Sequence, residues 1–477
     1  DTATPGALPR LVAAGNGHRW RICDWSADQH RLLLGREPDT GGTASVAGIT
    51  GDADGGGAST PAALYIADID SGTVMPVGGG AAAGNAPVHA VAARFAGDGR
   101  GIIVLTREQR SGGGYTTGQY VHLSYVDPAS GAWRQLSAPA AQDVQQFDQS
   151  ADGRYLAYTL DDGGESRLML VDQQLKLDVP VTTLPPGIIS SLKFDTSGRH
   201  LALTLETSRE PADVYVYQPQ GGTLTRWTHS EVGPIDTQQS FVQPQRLDFP
   251  TWDQVDGRPR QLSMWVYTPG PAAPPRAGPR PVVIWLCSGG GAQCRPRFAP
   301  FVQYLANDLG CVVIAPNVRG SSGFSLELQQ AGDGALRDDA TRDIGSLLVW
   351  IGLQPGLDRR RVALLGEGYG SNLALASLAQ YGDRLQGTVA AFPTSLKGLP
   401  NVLAIRRPVL LVQGLDDPAV PAYQAAQLRE GLRAQGVMVQ YLAAGGEGRE
   451  FSHRASRNAY HAAAASFLAR LLRIARA

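Results

Sequence analysis

The chain has too few cysteines for a disulfide framework, no long apolar run and no excess of either charge. Four cysteines in 477 residues, Cys23, Cys287, Cys294 and Cys311, are a sparse set for a chain of this length. If Cys287 ends one sheet strand and Cys311 begins the next parallel one, about a five-residue strand, roughly 17 Å, separates them, which excludes that bridge. Buried free thiols are therefore expected, and a Cys287–Cys294 bridge across a glycine loop is the geometrically allowed alternative. No stretch reaches the roughly 18 apolar residues of a membrane helix, and Arg470 interrupts the longest candidate near the C-terminus. Lys+Arg 42 against Asp+Glu 43 gives a net charge of −1, and only 7% of residues are aromatic, so neither a nucleic-acid surface nor an acidic arm is supported. The eight histidines are scattered, with none paired with another at ligand spacing. No Cys-x-x-Cys occurs either, so no metal or cofactor is expected. The glycines at 289–291 are not followed by the lysine of a phosphate loop.

What the chain does have is 43% hydrophobic residues, ample for packed cores, arranged in two contrasting halves. In the first half one design recurs: Asp24-Trp-Ser-Ala-Asp, Phe95-Ala-Gly-Asp-Gly, Gln149-Ser-Ala-Asp-Gly and Phe194-Asp-Thr-Ser-Gly. Each polar turn precedes an alternating strand, a second strand and a short third one. Repeats of about 40 residues built this way are the signature of propeller blades. Four blades are legible, and the glycine-rich stretches Thr40 to Thr60 and Gly78 to Asn85 read as long exposed loops. From Phe241 the pattern changes. Two entry strands and a proline-rich connector, Gly270 to Arg280, lead into short continuous apolar runs, Val282-Val-Ile-Trp-Leu and Val312-Val-Ile-Ala-Pro. These alternate with helices expected over Phe298 to Leu309, Asp338 to Leu353 and Arg457 to Arg476. The expected organisation is a propeller-like all-β domain over 1–237 and a doubly wound α/β domain over 238–477.

The second half turns on Val362-Ala-Leu-Leu-Gly-Glu-Gly-Tyr-Gly-Ser-Asn372, a strand, a sharp turn and a helix. This is the nucleophile elbow of an α/β-hydrolase, where Gly-x-Ser-x-Gly raises a serine above the sheet. Here Gly368 stands where that serine belongs, and glycine can form no acyl-enzyme.

Together with Ala315-Pro-Asn-Val-Arg-Gly-Ser-Ser-Gly, Gln413-Gly-Leu-Asp-Asp-Pro and a loop beginning Ser288-Gly-Gly-Gly, this order of domains resembles the prolyl oligopeptidase family of serine peptidases. The resemblance implies that Asp417 retains the position of the triad acid. Ser288, Gly289 and Tyr369 occupy residual oxyanion-side binding positions. The family's Glu-Gly-His-Gly-Phe segment reads Glu447-Gly-Arg-Glu-Phe451, which puts Arg449 where the catalytic histidine belongs. A guanidinium that stays protonated cannot serve as general base. Four blades and a short segment between Phe392 and Arg406 also fall below the family pattern. The implied protein is a catalytically silent homologue that binds a protein partner or a peptide, or regulates a larger assembly. The alternative is an active hydrolase with a relocated nucleophile, drawn from Ser288 with His453 and Asp417, or an inactivated mutant. Ser371 should point away from the site. Arg449 is expected to meet Asp417 through a bidentate fork, the competing arrangement being a pair with Glu447 or Glu450. The chain opens at Asp1 with a loose segment like one left by signal-peptide removal, so an exported protein is expected.

Overall fold

The computed structural model describes residues 18–38, 62–78, 88–111, 114–137, 142–271, 273–287, 291–332, 337–396, 402–418 and 420–474. The expected glycine-rich loop over Thr40 to Thr60 lies outside these residues, as does all but Gly78 of the one over Gly78 to Asn85.

Four antiparallel sheets follow one another through Arg226. Their first strands are His18–Trp25, Ala92–Phe95, Val144–Gln149 and Ile188–Phe194, and the last sheet ends on Thr223–Arg226. The second to fourth blades have four strands, one more than the sequence pattern suggests, because a strand also precedes the polar turn; the first has five, with His89–Ala90 added beside Ala62–Asp68. In the third blade that turn is Ser150 to Arg154. Ser150 Oγ donates to Asp152 and accepts from the Tyr155 amide, while Gly153 supplies φ +72°. The blades pack face to face through shared apolar clusters. Leu33 and Leu64 meet Ile102 and Val104, Leu105 and Leu123 meet Phe147 and Leu156, and Leu168 and Leu170 meet Leu201 and Leu203. Among the described residues no core cluster joins the first sheet to the fourth.

The α/β domain is built on one eight-stranded sheet. We label its strands β1 (Gln245–Val255), β2 (Arg258–Tyr267), β3 (Arg280–Leu286), β4 (Val312–Pro316), β5 (Leu357–Glu367), β6 (Thr388–Ala391), β7 (Val409–Gly414) and β8 (Val439–Ala444). The order is β1-β2-β4-β3-β5-β6-β7-β8, antiparallel up to β4 and parallel from there on. The β-branched runs of β3, β4 and β7 are buried on both faces, as parallel strands between helical layers must be. The main helices are α1 (Pro300–Asn307), α2 (Arg337–Leu353), α3 (Tyr369–Gln380), α4 (Ala422–Arg433) and α5 (Arg454–Leu471). α1 starts two residues after the expected Phe298 because Pro300 fits the first helical turn. α5 runs Arg454–Leu471 rather than the expected Arg457 to Arg476, since Glu447 caps it early, as described below.

Arginines on the loop after Cys294 tie the two halves together. Arg295 Nε donates to the Gly164 carbonyl at 2.8 Å in the third blade, and Arg297 pairs with Glu206 of the fourth at 3.0 Å.

Candidate functional site

The elbow is formed in full. β5 lies between β3 and β6, its Val362–Gly366 stretch is buried, and α3 starts directly after Gly368 at φ +57° and ψ −123°. The flanking glycines are required by contact. A Cβ on Gly366 would stand 2.3 Å from the Gly370 carbonyl oxygen, and one on Gly370 would stand 1.7 Å from that of Leu286. A Cβ on Gly368 would meet nothing within 4 Å. The turn therefore keeps the backbone and the open space of a nucleophile position and offers no hydroxyl. Tyr369 is the first residue of α3 and lies half-buried against the central core.

Glu367 in the middle of the elbow was not singled out by the sequence. Its carboxylate accepts from Tyr460 Oη at 2.8 Å and from Trp285 Nε1 at 3.2 Å. Tyr460 packs edge-on against Phe392 and Phe451, with ring centroids 5.4 and 6.4 Å away, so an aromatic cluster lies beside the turn. Burial, followed by the Glu367 charge, pushes the Tyr460 phenol far above its usual range. A glutamate at the end of an apolar strand was the only hint; its partners come from distant parts of the chain.

Asp417 lies just beyond β7 and is 5% exposed. The neighbouring Asp416 amide donates to the Glu447 carbonyl at 3.0 Å, which sets the loop against the segment after β8. The expected fork from Arg449 to Asp417 is not formed. Arg449 is exposed, and among the described residues no ion pair joins it to Asp417, Glu447 or Glu450. The reason is the side chain two residues before it. Glu447, 1% exposed, accepts from the amides of Ser452 and His453 at 2.7 and 3.1 Å, from Ser452 Oγ at 2.9 Å, and meets His453 Nδ1 at 2.9 Å. This carboxylate holds the two amides that lead into α5 and lies at the positive end of the helix dipole. Desolvation raises its pKa, but hydrogen bonds from Ser456, Ser452 and His453 outweigh that and hold it at about 2. With Glu447 turned inward, Arg449 is left facing solvent.

The other sequence candidates separate. His453 is held by Glu447 and not by Asp417, which removes it from the imagined trio. Ser371 is wholly buried on α3, with its hydroxyl unpartnered. Ser288 and Gly289 lie outside the described residues. The cysteines correct the expectation of free thiols in part: Cys287 and Cys294 are bonded, with Cα atoms 5.3 Å apart, while Cys23 and Cys311 are free and buried. Asn317 braces the same loop, accepting from the Cys294 amide at 2.8 Å and donating to its carbonyl at 3.2 Å. Replacing both bonded cysteines by serine is expected to cost roughly 2–3 kcal/mol, the loop-closure value for so short a loop, read from urea unfolding with and without reductant. Equal midpoints for the two forms would contradict the constraint.

The prolyl oligopeptidase family model matches residues 296–396 and 394–474. Dipeptidyl aminopeptidase BIII of Pseudoxanthomonas mexicana is 22% identical over 394 residues, covering 73% of this chain and 56% of that protein. The acylamino-acid-releasing enzyme of Rattus norvegicus is 23% identical over 236 residues, 41% of this chain and 32% of that protein. The chain thus spans about half the length of the first of these relatives and a third of the second. Among solved structures, a puromycin hydrolase superposes with TM-score 0.74 at 18% identity, over 95% of this chain and 69% of that one. The acylaminoacyl peptidase of Pyrococcus horikoshii gives 0.68 at 16% identity, over 95% and 70%. The elbow, the strand order and the preceding blades agree with these matches: residues 296–474 are similar to the prolyl oligopeptidase family, and the chain as a whole has the fold of blades followed by an α/β-hydrolase domain seen in those structures.

Proposed function

We propose that this protein is a non-catalytic homologue of the family's serine peptidases, acting as a binding, scaffold or regulatory subunit for a protein or peptide partner. The observation that carries this reading is Gly368, an elbow residue with free space around it and no nucleophile. Arg449, exposed at the histidine position, supports it. Among the described residues, the serine in contact with both a histidine and a carboxylate is Ser452. Its Oγ lies 3.3 Å from His453 Nδ1, but the same nitrogen faces Glu447 at 2.9 Å. A working relay needs the base to meet acid and nucleophile through different nitrogens, so this cluster is a helix cap rather than a triad. Export is part of the proposal, supported by the Cys287–Cys294 bridge, since disulfides persist in oxidising compartments. Among the described residues no helix is long and apolar enough to cross a membrane.

Turnover of an aminoacyl ester or aminoacyl anilide by the purified chain tests the reading. No rate above buffer is expected; turnover above buffer overturns the reading, and its loss in Ser288→Ala would assign it to the relocated nucleophile. A sharper test is restoration. Gly368→Ser has room for its hydroxyl, but a histidine in place of Arg449 would start from an exposed side chain without an established contact to Asp417. Gly368→Ser combined with Arg449→His is therefore expected to stay near background, short of a full triad by about 10⁶ in kcat. Ester hydrolysis well above both single variants would show that the pocket and the acid are still poised.

A further inference from the structure

A cavity of about 1020 Å³ opens between α1, α5 and the proline-rich connector that precedes β3. None of its lining residues belongs to the elbow, the Asp417 loop or the Glu447–His453 segment. Its volume is that of a site for a sizeable small molecule. The wall is largely apolar and aromatic: Phe301, Leu309, Ala465 and Ile474 contribute, and the His461 imidazole stacks on Phe301 with centroids 4.6 Å apart and planes at 7°. Burial, then Arg457, lowers the His461 pKa, so this wall is a neutral ring pair near pH 7.

At the connector end the character changes. Arg276 and Arg280 both line the cavity. Arg280 Nη1 donates to the Gly310 carbonyl at 3.2 Å. Arg276 is half-buried, and among the described residues no hydrogen bond or ion pair engages it. Desolvation, then Arg361, lowers its pKa, and the opposing attraction of Asp358 is weaker. That aspartate is itself paired with Arg361 at 2.5 Å. The one acid in the lining, Asp308, is raised by burial alone, which sets it apart from the arginines. An apolar chamber with an unsatisfied guanidinium at one end is complementary to a ligand with the same two parts.

We propose that this cavity binds an amphipathic carboxylate, its acyl or aromatic body against Phe301, His461 and Ala465 and its carboxylate on Arg276. The test uses the full chain, with 8-anilinonaphthalene-1-sulfonate as fluorescent reporter and sodium laurate, below its micelle concentration, as competitor. Laurate should displace the reporter, and dodecanol, with the same chain and no charge, should do so roughly tenfold or more weakly. Arg276→Ala should abolish that difference. Ala462→Trp, at an exposed lining position, should block laurate, and Ala277→Glu, an independent exposed change beside Arg276, should weaken it about tenfold. Equal displacement by laurate and dodecanol, no displacement by either, or laurate binding unchanged in Ala462→Trp and Ala277→Glu would overturn the proposal.

Discussion

Arg319→Met is expected to destabilise the α/β domain by about 3–5 kcal/mol, a large part of an ordinary domain's stability. Arg319 is 4% exposed and Asp343 0%. The guanidinium meets both oxygens of that carboxylate, Nε to Oδ2 at 2.9 Å and Nη2 to Oδ1 at 2.6 Å, and Nη2 also reaches Asp253 at 3.1 Å. The Trp252 ring lies against it, with its centroid 4.6 Å from Cζ. Methionine matches much of the arginine stem but leaves Asp343 buried without its cation. Because that stranded charge is most of the cost, Arg319→Met with Asp343→Leu should recover much of the loss. Urea unfolding of the two variants checks this, and a loss below about 1 kcal/mol for the single change would contradict a buried, directed pair.

Gly370→Ala should be at least as damaging, by about 3 kcal/mol or more. Its new Cβ would lie 1.7 Å from the Leu286 carbonyl oxygen and 2.6 Å from the carbonyl carbon, both backbone atoms of a central strand. No rotamer relieves that contact, so β3 or α3 must move. Gly368→Ala is the matched control. It meets nothing within 4 Å and has only its φ of +57° to bear, which costs about 1–2 kcal/mol. Comparable melting temperatures for the two alanine variants would show that the elbow is not closed by the approach of α3 to β3.

The elbow was legible because its demands are local. Glycine spacing, an apolar run before and a helix after it suffice, and the β-branched runs of the sheet read equally directly. What the sequence misread depends on where side chains turn. Arg449 was assigned to Asp417 by its place in a motif. The outcome was decided by Glu447, whose carboxylate finds the start of α5, a competition no pattern displays. Glu367 went unnoticed because Tyr460 and Trp285 reach it only across the fold. The Cys287–Cys294 bridge was left open because loop geometry permits a bond without requiring one. In the third blade, the strand before the polar turn, with Gln145-Gln-Phe-Asp-Gln149, lacks the apolar alternation of the one after it, so three strands were legible where four form.

The central claim concerns a missing nucleophile, and labelling by a fluorophosphonate measures it most directly, since the reagent forms a bond only with an activated serine. Intact-mass analysis of the native chain after incubation should show no adduct under conditions that label an active serine peptidase completely. A stoichiometric adduct mapped to any serine of this chain would contradict the account.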